Sequence, residues 1–196
     1  MHFISLTGVV MFAILGERVF FLWIKSGFNK AAFLEQMRKF IADNNIDGAI
    51  AFCKEKKDAL SNIIRAGLAQ FREGDPEFKD AMDLAALANL PELERRTGYL
   101  AMLGNVATLL GLLGTIQGLI NAFESVASVD ASQKAAALAA GISTAMLTTA
   151  YGLVIAIPSL VAFSVIQGRT QKLVEGIEES AATVATFLDR RAQRPS

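Results

Sequence analysis

Two stretches of this chain carry no charged side chain at all: 27 residues from Thr97 to Phe123, and 34 from Ala135 to Gly168. A helix needs about 20 apolar residues to cross a hydrocarbon core about 30 Å thick. Both runs exceed that length, and a soluble core helix of either size would be exceptional, so both read as transmembrane helices. Phe3 to Ile24 is a third candidate, interrupted only by Glu17 and Arg18. Those neighbours can pair with each other or reach an interface, and Phe20, Phe21 and Trp23 beyond them suit an aromatic belt. A cleaved signal peptide would place positive charge before the apolar run and a small-residue cleavage site after it. Neither is present, so the first span is expected to be retained.

Orientation follows from the cations. Twelve Lys and Arg fall between Lys25 and Arg96, five follow Gly168, and the loop from Glu124 to Lys134 has only Lys134. The positive-inside rule puts the long middle segment and the tail in the cytoplasm and the short loop outside. The expected organisation is an all-α, multi-pass inner-membrane protein with its N-terminus periplasmic and its C-terminus cytoplasmic. Its parts are transmembrane helix 1 (3–24), a cytoplasmic helical segment (25–96), transmembrane helix 2 (97–123), a periplasmic loop (124–134), transmembrane helix 3 (135–168) and a cytoplasmic C-terminal helix (169–196). Nineteen basic and nineteen acidic residues cancel, which leaves no basic excess for a nucleic-acid partner. The single cysteine, Cys53, excludes a disulfide scaffold, and 53% hydrophobic residues exclude intrinsic disorder.

The charged segments look helical. Phe33, Met37, Phe40 and Ile41, then Ile46, Ile50, Leu60, Ile63, Ile64, Leu68 and Phe71, recur at helical spacing. Asn44-Asn45 and Gly74-Asp75-Pro76 read as turns, with Asp75 a cap and Pro76 in the first turn of a new helix. From there Phe78, Met82, Leu84, Leu87, Leu90 and Leu93 run toward the second span, with Pro91 the one kink candidate. Leu173 through Ile177 to Leu188 continues the third span into a helical tail. No internal repeat or strand pattern is visible.

Each long span carries a stripe of small residues. Gly104, Ala107, Thr108, Gly111, Gly114, Thr115, Gly118 and Ala122 share one arc of the second. Gly141, Thr144, Ala145, Thr148, Thr149, Gly152, Ala156 and Ser159 share one arc of the third. One reading is close helix packing, for which Gly114-x-x-x-Gly118 is a known device. The other is that Thr115, Thr144, Thr148 and Thr149 wet an ion pathway. A self-contained proton carrier places a carboxylate or histidine inside the membrane. The second and third spans have none, and Glu17 has a cation beside it, so proton movement would need an acid from another chain.

The run Leu109-Leu-Gly-Leu-Leu-Gly-Thr-Ile-Gln-Gly118, continuing to Phe123, resembles the second-span motif of the MotA/TolQ/ExbB proton-channel family. Gly141-Ile-Ser-Thr-Ala-Met-Leu-Thr-Thr-Ala-Tyr-Gly-Leu153, followed by Ala156-Ile-Pro158, is similar to its third-span motif. Glu17-Arg18 and Arg65-Ala-Gly-Leu68 fit as well, and the three-span pattern is nearer the ExbB/TolQ branch than the four-span MotA branch. The resemblance implies a homopentamer around single helices of an ExbD- or TolR-like partner, each bringing one essential Asp. It implies that Thr115 and Thr149, with Thr148 and Thr144, face that acid. Gly104, Gly111, Gly114, Gly118, Gly141, Gly152 and Pro158 are then helix-packing positions. Proton flow would drive work on the periplasm or outer membrane, TonB-type biopolymer transport first among the options, with a TonB- or TolA-like protein as a further partner. A Tol-type envelope motor or a gliding motor would use the same architecture. Many ExbB and TolQ proteins have Glu where this chain has Thr144, which agrees with the missing membrane acid.

The remaining candidates are weak. His2, the only histidine, has no metal partners, and Cys53 has no His or second Cys near it in sequence. Glu92, Glu94, Arg95 and Arg96 read as a solvated face beside the membrane, and Glu124 as the charge that ends a span. No phosphate-loop or zinc-protease motif is present. No enzyme activity, cofactor or metal is expected. The rival of a different class is a structural membrane protein whose stripes only pack helices.

Overall fold

The computed structural model describes residues 2–26, 30–56, 58–72, 75 and 77–193, with side chains for all of these except 2, 3 and 21–26. Every regular element among them is a helix: α1 (His2–Ser26), α2 (Lys30–Ala42), α3 (Ile46–Glu55), α4 (Ala59–Arg72), α5 (Phe78–Asn89), α6 (Pro91–Glu94), α7 (Thr97–Ser128) and α8 (Lys134–Ala192). Two compact units emerge. The first holds residues 1–20 and 96–167, the second 21–95 and 168–196.

The first unit is built from α1, α7 and the N-terminal part of α8. Residues 78–128, which include α7, and 134–192, which form α8, each hold an 18-residue window apolar enough to cross a membrane, and only 28% and 22% of those windows is buried. Core helices of a water-soluble globule would be mostly covered. Here Leu109, Met146 and Val154 stand 64%, 68% and 69% exposed, as surfaces that meet lipid or other chains do. The small residues are the covered ones: Gly104, Ala107, Gly111, Gly118 and Ala122 on α7, and Ala145, Gly152, Ala156 and Ser159 on α8.

The second unit follows the rules of a water-soluble helical domain. Phe33, Met37 and Ile41 of α2 pack with Cys53 of α3, with Leu60, Ile63, Ile64 and Leu68 of α4, with Phe78 and Met82 of α5, and with Val184 and Leu188 of α8. These are the positions that helical spacing selects. Local signals set the boundaries. Asn44 sits at φ 57° while Asn45 N–H donates to the Phe40 carbonyl and Asn44 N–H to that of Ile41, closing α2 with a left-handed residue. Asn45 then caps α3, its side chain accepting from Gly48 N–H at 2.9 Å. Asp58 does the same for α4, its carboxylate accepting from Ser61 N–H at 3.4 Å and from the Ser61 hydroxyl at 2.7 Å.

Several expectations change. Asp75 accepts from Glu77 N–H and from the Gln70 amide, which hold its carboxyl below the usual range, but Glu77 rather than Asp75 is the residue that flanks α5. Gly74 and Pro76, and the side chains of His2, Phe21 and Trp23, lie outside the described residues. The run from α5 does not continue into the second span. Pro91 restarts the helix as α6, Arg95 is extended, and Arg96 adopts the left-handed region at φ 68° before α7 begins. In contrast α8 passes 59 residues without a break, about 90 Å at 1.5 Å per residue. Leu84 and Leu87, grouped with the apolar run of α5, are exposed.

Cys53 is inert for a stated reason. Burial pushes its thiol up to about 12, the Asp58 carboxylate adds to the rise, and Arg65 and Lys56 oppose it. The unfolded thiol ionises near 9.0 and the folded one near 12. This contribution to stability is therefore complete below pH 9 and lost as pH rises from there toward 12. Thiol titration at pH 8 should run at least about a hundredfold slower on the native protein than on the denatured chain, and denaturant midpoints should fall above pH 9.

Candidate functional site

The site is the seam where α7 and α8 pack antiparallel. Without a hydrophobic force between helices in lipid, close approach and hydrogen bonds must hold such a pair. Both are present. A Cβ added at Gly152 would come within 2.7 Å of the Ala107 carbonyl oxygen and 3.0 Å of the Gly111 Cα. One at Gly118 would meet the Ala145 Cβ at 2.8 Å, and one at Gly114 the Thr148 hydroxyl at 2.6 Å. Gly141 lies against Ala122, and Gly104 against Leu160 and the Ala156 carbonyl. Two hydrogen bonds cross the seam: the Ser159 hydroxyl donates to the Leu100 carbonyl at 2.6 Å, and Thr149 Oγ1 to that of Gly111 at 3.2 Å. Pro158 lies inside α8 on an exposed face.

The four threonines do not form one lining. At about 100° per residue, Thr149 stands about 40° to one side of the seam residue Ala145, and Thr148 and Thr144 about 60° and 100° to the other. On α7, Thr115 stands about 60° to one side of Gly118, and Asn121 and Gln117 about 60° and 100° to the other. Facing antiparallel helices turn their like-handed margins to the same side. Thr115 and Thr149 therefore share one margin, while Thr144 and Thr148 share the opposite one with Gln117 and Asn121. α1 packs on that second margin, where Gly8 meets the Ile155 side chain. The Thr115–Thr149 margin is the one away from this contact.

The hydroxyls are all donors to backbone. Thr115 donates to Leu112 O at 2.6 Å, Thr144 to Ala140 O at 2.9 Å and Thr148 to Ala145 O at 2.7 Å, and Thr149 crosses to Gly111. With its proton engaged, each oxygen presents lone pairs. Thr115 and Thr149 are partly exposed, so that margin can accept a hydrogen bond from water, a hydrated proton or a protonated carboxylic acid. It has no titratable group of its own.

Three features escaped the sequence. Glu17 pairs with Arg96 at the start of α7, not with Arg18, which is buried. Adjacent helical residues point about 100° apart and do not face each other. Arg96 therefore ties α1 to α7 instead of joining a solvated face, though both partners stay half exposed and the pair is worth at most about 1 kcal/mol. Gln117 donates to the Asn121 side chain at 2.9 Å, an amide pair in an apolar helix that its i, i+4 spacing signals. Ser159 bonding across to Leu100 needed the register of the helix pair.

An antiparallel pair of helices with long charge-free runs, closed by glycine, with hydroxyls on one open margin and no acid in those runs, defines a class of membrane channel-type subunit. The model of the MotA/TolQ/ExbB proton channel family matches residues 55–179, and the chain belongs to that family, on its ExbB/TolQ side. It is 29% identical over 185 residues to an ExbB-like biopolymer transport protein of Synechocystis sp., covering 93% of this chain and 87% of that one. The ExbB biopolymer transport protein of Pseudomonas putida is 28% identical over 183 residues, 86% of this chain and 55% of that one. The Tol-Pal system protein TolQ of Pseudomonas aeruginosa is 31% identical over 143 residues, covering 67% and 62%. This chain thus spans little more than half of the two Pseudomonas relatives. A structure of C. jejuni MotAB shares the fold at a TM-score of 0.63 and 17% identity, over 91% of this chain and 69% of that one.

Gly152→Ala should separate the helices and lower the thermal midpoint of the protein in lipid nanodiscs. Gly168→Ala in the same helix, where an added Cβ meets nothing within 4 Å, should raise stability by up to about 1 kcal/mol.

Proposed function

We propose that this chain is the stator and channel subunit of a proton-motive-force-driven motor in the bacterial inner membrane. It crosses three times, with α1 as the first span, the N-terminus periplasmic and the C-terminus cytoplasmic. Five copies enclose single helices of an ExbD- or TolR-like partner that supplies an intramembrane Asp. Family membership supports the channel role, and the Synechocystis and P. putida relatives, both called biopolymer transport proteins, favour TonB-type work over a Tol or gliding motor. The chain is assigned no catalytic chemistry of its own.

The observation that carries the reading is the pairing of a hydroxyl margin with a complete absence of acid. Thr115 and Thr149 offer acceptor lone pairs, which suit the neutral, protonated form of a visiting carboxylic acid. Once that acid releases its proton, a threonine hydroxyl can turn and donate to the carboxylate. The margin thereby solvates both states in a medium of low dielectric without holding a proton itself. Thr144 and Thr148, on the margin where α1 packs, would serve the helix pair more than the acid.

Co-reconstitution with the single-span partner in vesicles tests this. Proton flux should require both chains and should vanish when the partner's intramembrane Asp becomes Asn. Flux that survives that change would overturn the mechanism. Thr115→Val and Thr149→Val should each cut flux about tenfold or more, the cost of one lost hydrogen bond to a charged group, while the complex still assembles. Thr144→Val should cost less. Reporter fusions within 124–134 should read as periplasmic, and fusions after 192 as cytoplasmic.

A further inference from the structure

The second unit exposes one apolar patch that its own core does not use. Among its described residues the large hydrophobics left exposed are Leu84 and Leu87, at 68% and 74%. Three positions apart on α5, they fall on one side of that helix. Leu87 borders a groove of about 800 Å³ between α5–α6 and the C-terminal part of α8. Its floor is apolar, with Met82, Leu90, Ala181 and Ala185, and its rim carries Asp83, Glu94 and Glu178. The one cation there, Lys79, is already paired with Asp189.

We propose that this groove docks a basic amphipathic helix belonging to a different polypeptide. Its apolar face would lie along Leu87 and Met82, with Lys or Arg on its borders meeting Asp83, Glu94 and Glu178. The charges exclude other occupants. Anionic lipid headgroups and nucleic acid would be repelled by three carboxylates around an apolar floor. A second copy facing the groove isologously would set two acidic rims against each other. A head-to-tail ring contact needs a second, different apolar patch to complement the first. The described residues of this unit expose no large hydrophobic outside Leu84 and Leu87.

The test uses the full chain, purified as its own assembly in nanodiscs, with Leu87→Cys as a reporter. The substitution replaces an exposed side chain, and buried Cys53 gives little background. Maleimide labelling is timed alone, with a Leu/Lys amphipathic peptide of about 18 residues, roughly five turns, and with its Leu/Glu counterpart. Prompt labelling without peptide, about tenfold protection by the Lys peptide and none by the Glu peptide is the expected result. Adding Asp83→Asn and Glu178→Gln should then weaken binding of the Lys peptide about tenfold, as should high salt. Slow labelling in the assembly alone would mean a second copy covers the groove and would overturn the proposal. So would a Lys peptide that fails to protect, protects no better than the Glu peptide, or ignores the rim substitutions. None of these readouts depends on proton flux, so the proposed channel function can stand or fall separately.

Discussion

The approach of α7 to α8 at the level of Gly111 and Gly152 is the constraint on which the membrane unit rests. A carbonyl oxygen of one helix and a Cα of the other occupy the space where a side chain would stand. Apolar side chains gain little by leaving lipid for one another, so such a pair is held by backbone-to-backbone contact and by hydroxyls that reach across. Glycine at the seam is what allows both. The contact also settles direction: once Ala145 faces Gly118, every other residue of the two helices has its bearing. Thr115 and Thr149 come to one margin by that geometry alone, and the α1 contact at Gly8 falls on the other.

Charge exclusion is the complementary constraint. The two long runs hold no Asp, Glu, His, Lys or Arg, so neither run supplies the carboxylate or imidazole that carries a proton through a membrane. The hydroxyls cannot replace an acid, since each already gives its hydrogen to a carbonyl. They can only accompany one. On the proposed function this division is useful: the pore wall stays neutral whatever the proton occupancy, and the electrostatic cost of each step falls on the partner's carboxyl. Thr144 lies on the other margin, so a Glu in its place would titrate on the side where α1 packs rather than beside Thr115 and Thr149.

The two long apolar helices and the core positions of the second unit were legible because single-residue rules govern them. A run without charge is visible as such, and Phe33, Met37, Ile41, Leu60, Ile64 and Leu68 declare their face by spacing. What stayed hidden depends on residues far apart in sequence. Glu17 has a cation at the next position, yet its partner is Arg96, since neighbours on a helix diverge. The left-handed turn at Arg96 has no glycine or asparagine to announce it. The four threonines share an arc when each helix is drawn alone, and only the antiparallel register divides them between margins. Leu84 and Leu87 fit a helical pattern, but one turned away from Phe78 and Met82.

α8 shows how one helix can obey two packing chemistries in succession. From Gly141 to Ser159 its buried face is Ala145, Gly152, Ala156 and Ser159, with Ile155 the one large side chain covered, against α1, while Met146, Leu147, Val154 and Ile157 are exposed. From Ile177 to Leu188 the pattern inverts: Val184 and Leu188 lie in the core with Ile177 packed against it, and Glu178 and Glu179 are exposed. In lipid, large side chains are well solvated by the surroundings, so burying them gains little and small residues win the interior. In water, covering a Leu or Ile gains about 1.5–3 kcal/mol, and the larger residues win. The change in residue size along this single unbroken helix coincides with the division between the two compact units, at residues 167 and 168, where Arg169 and Lys172 return charge to the chain.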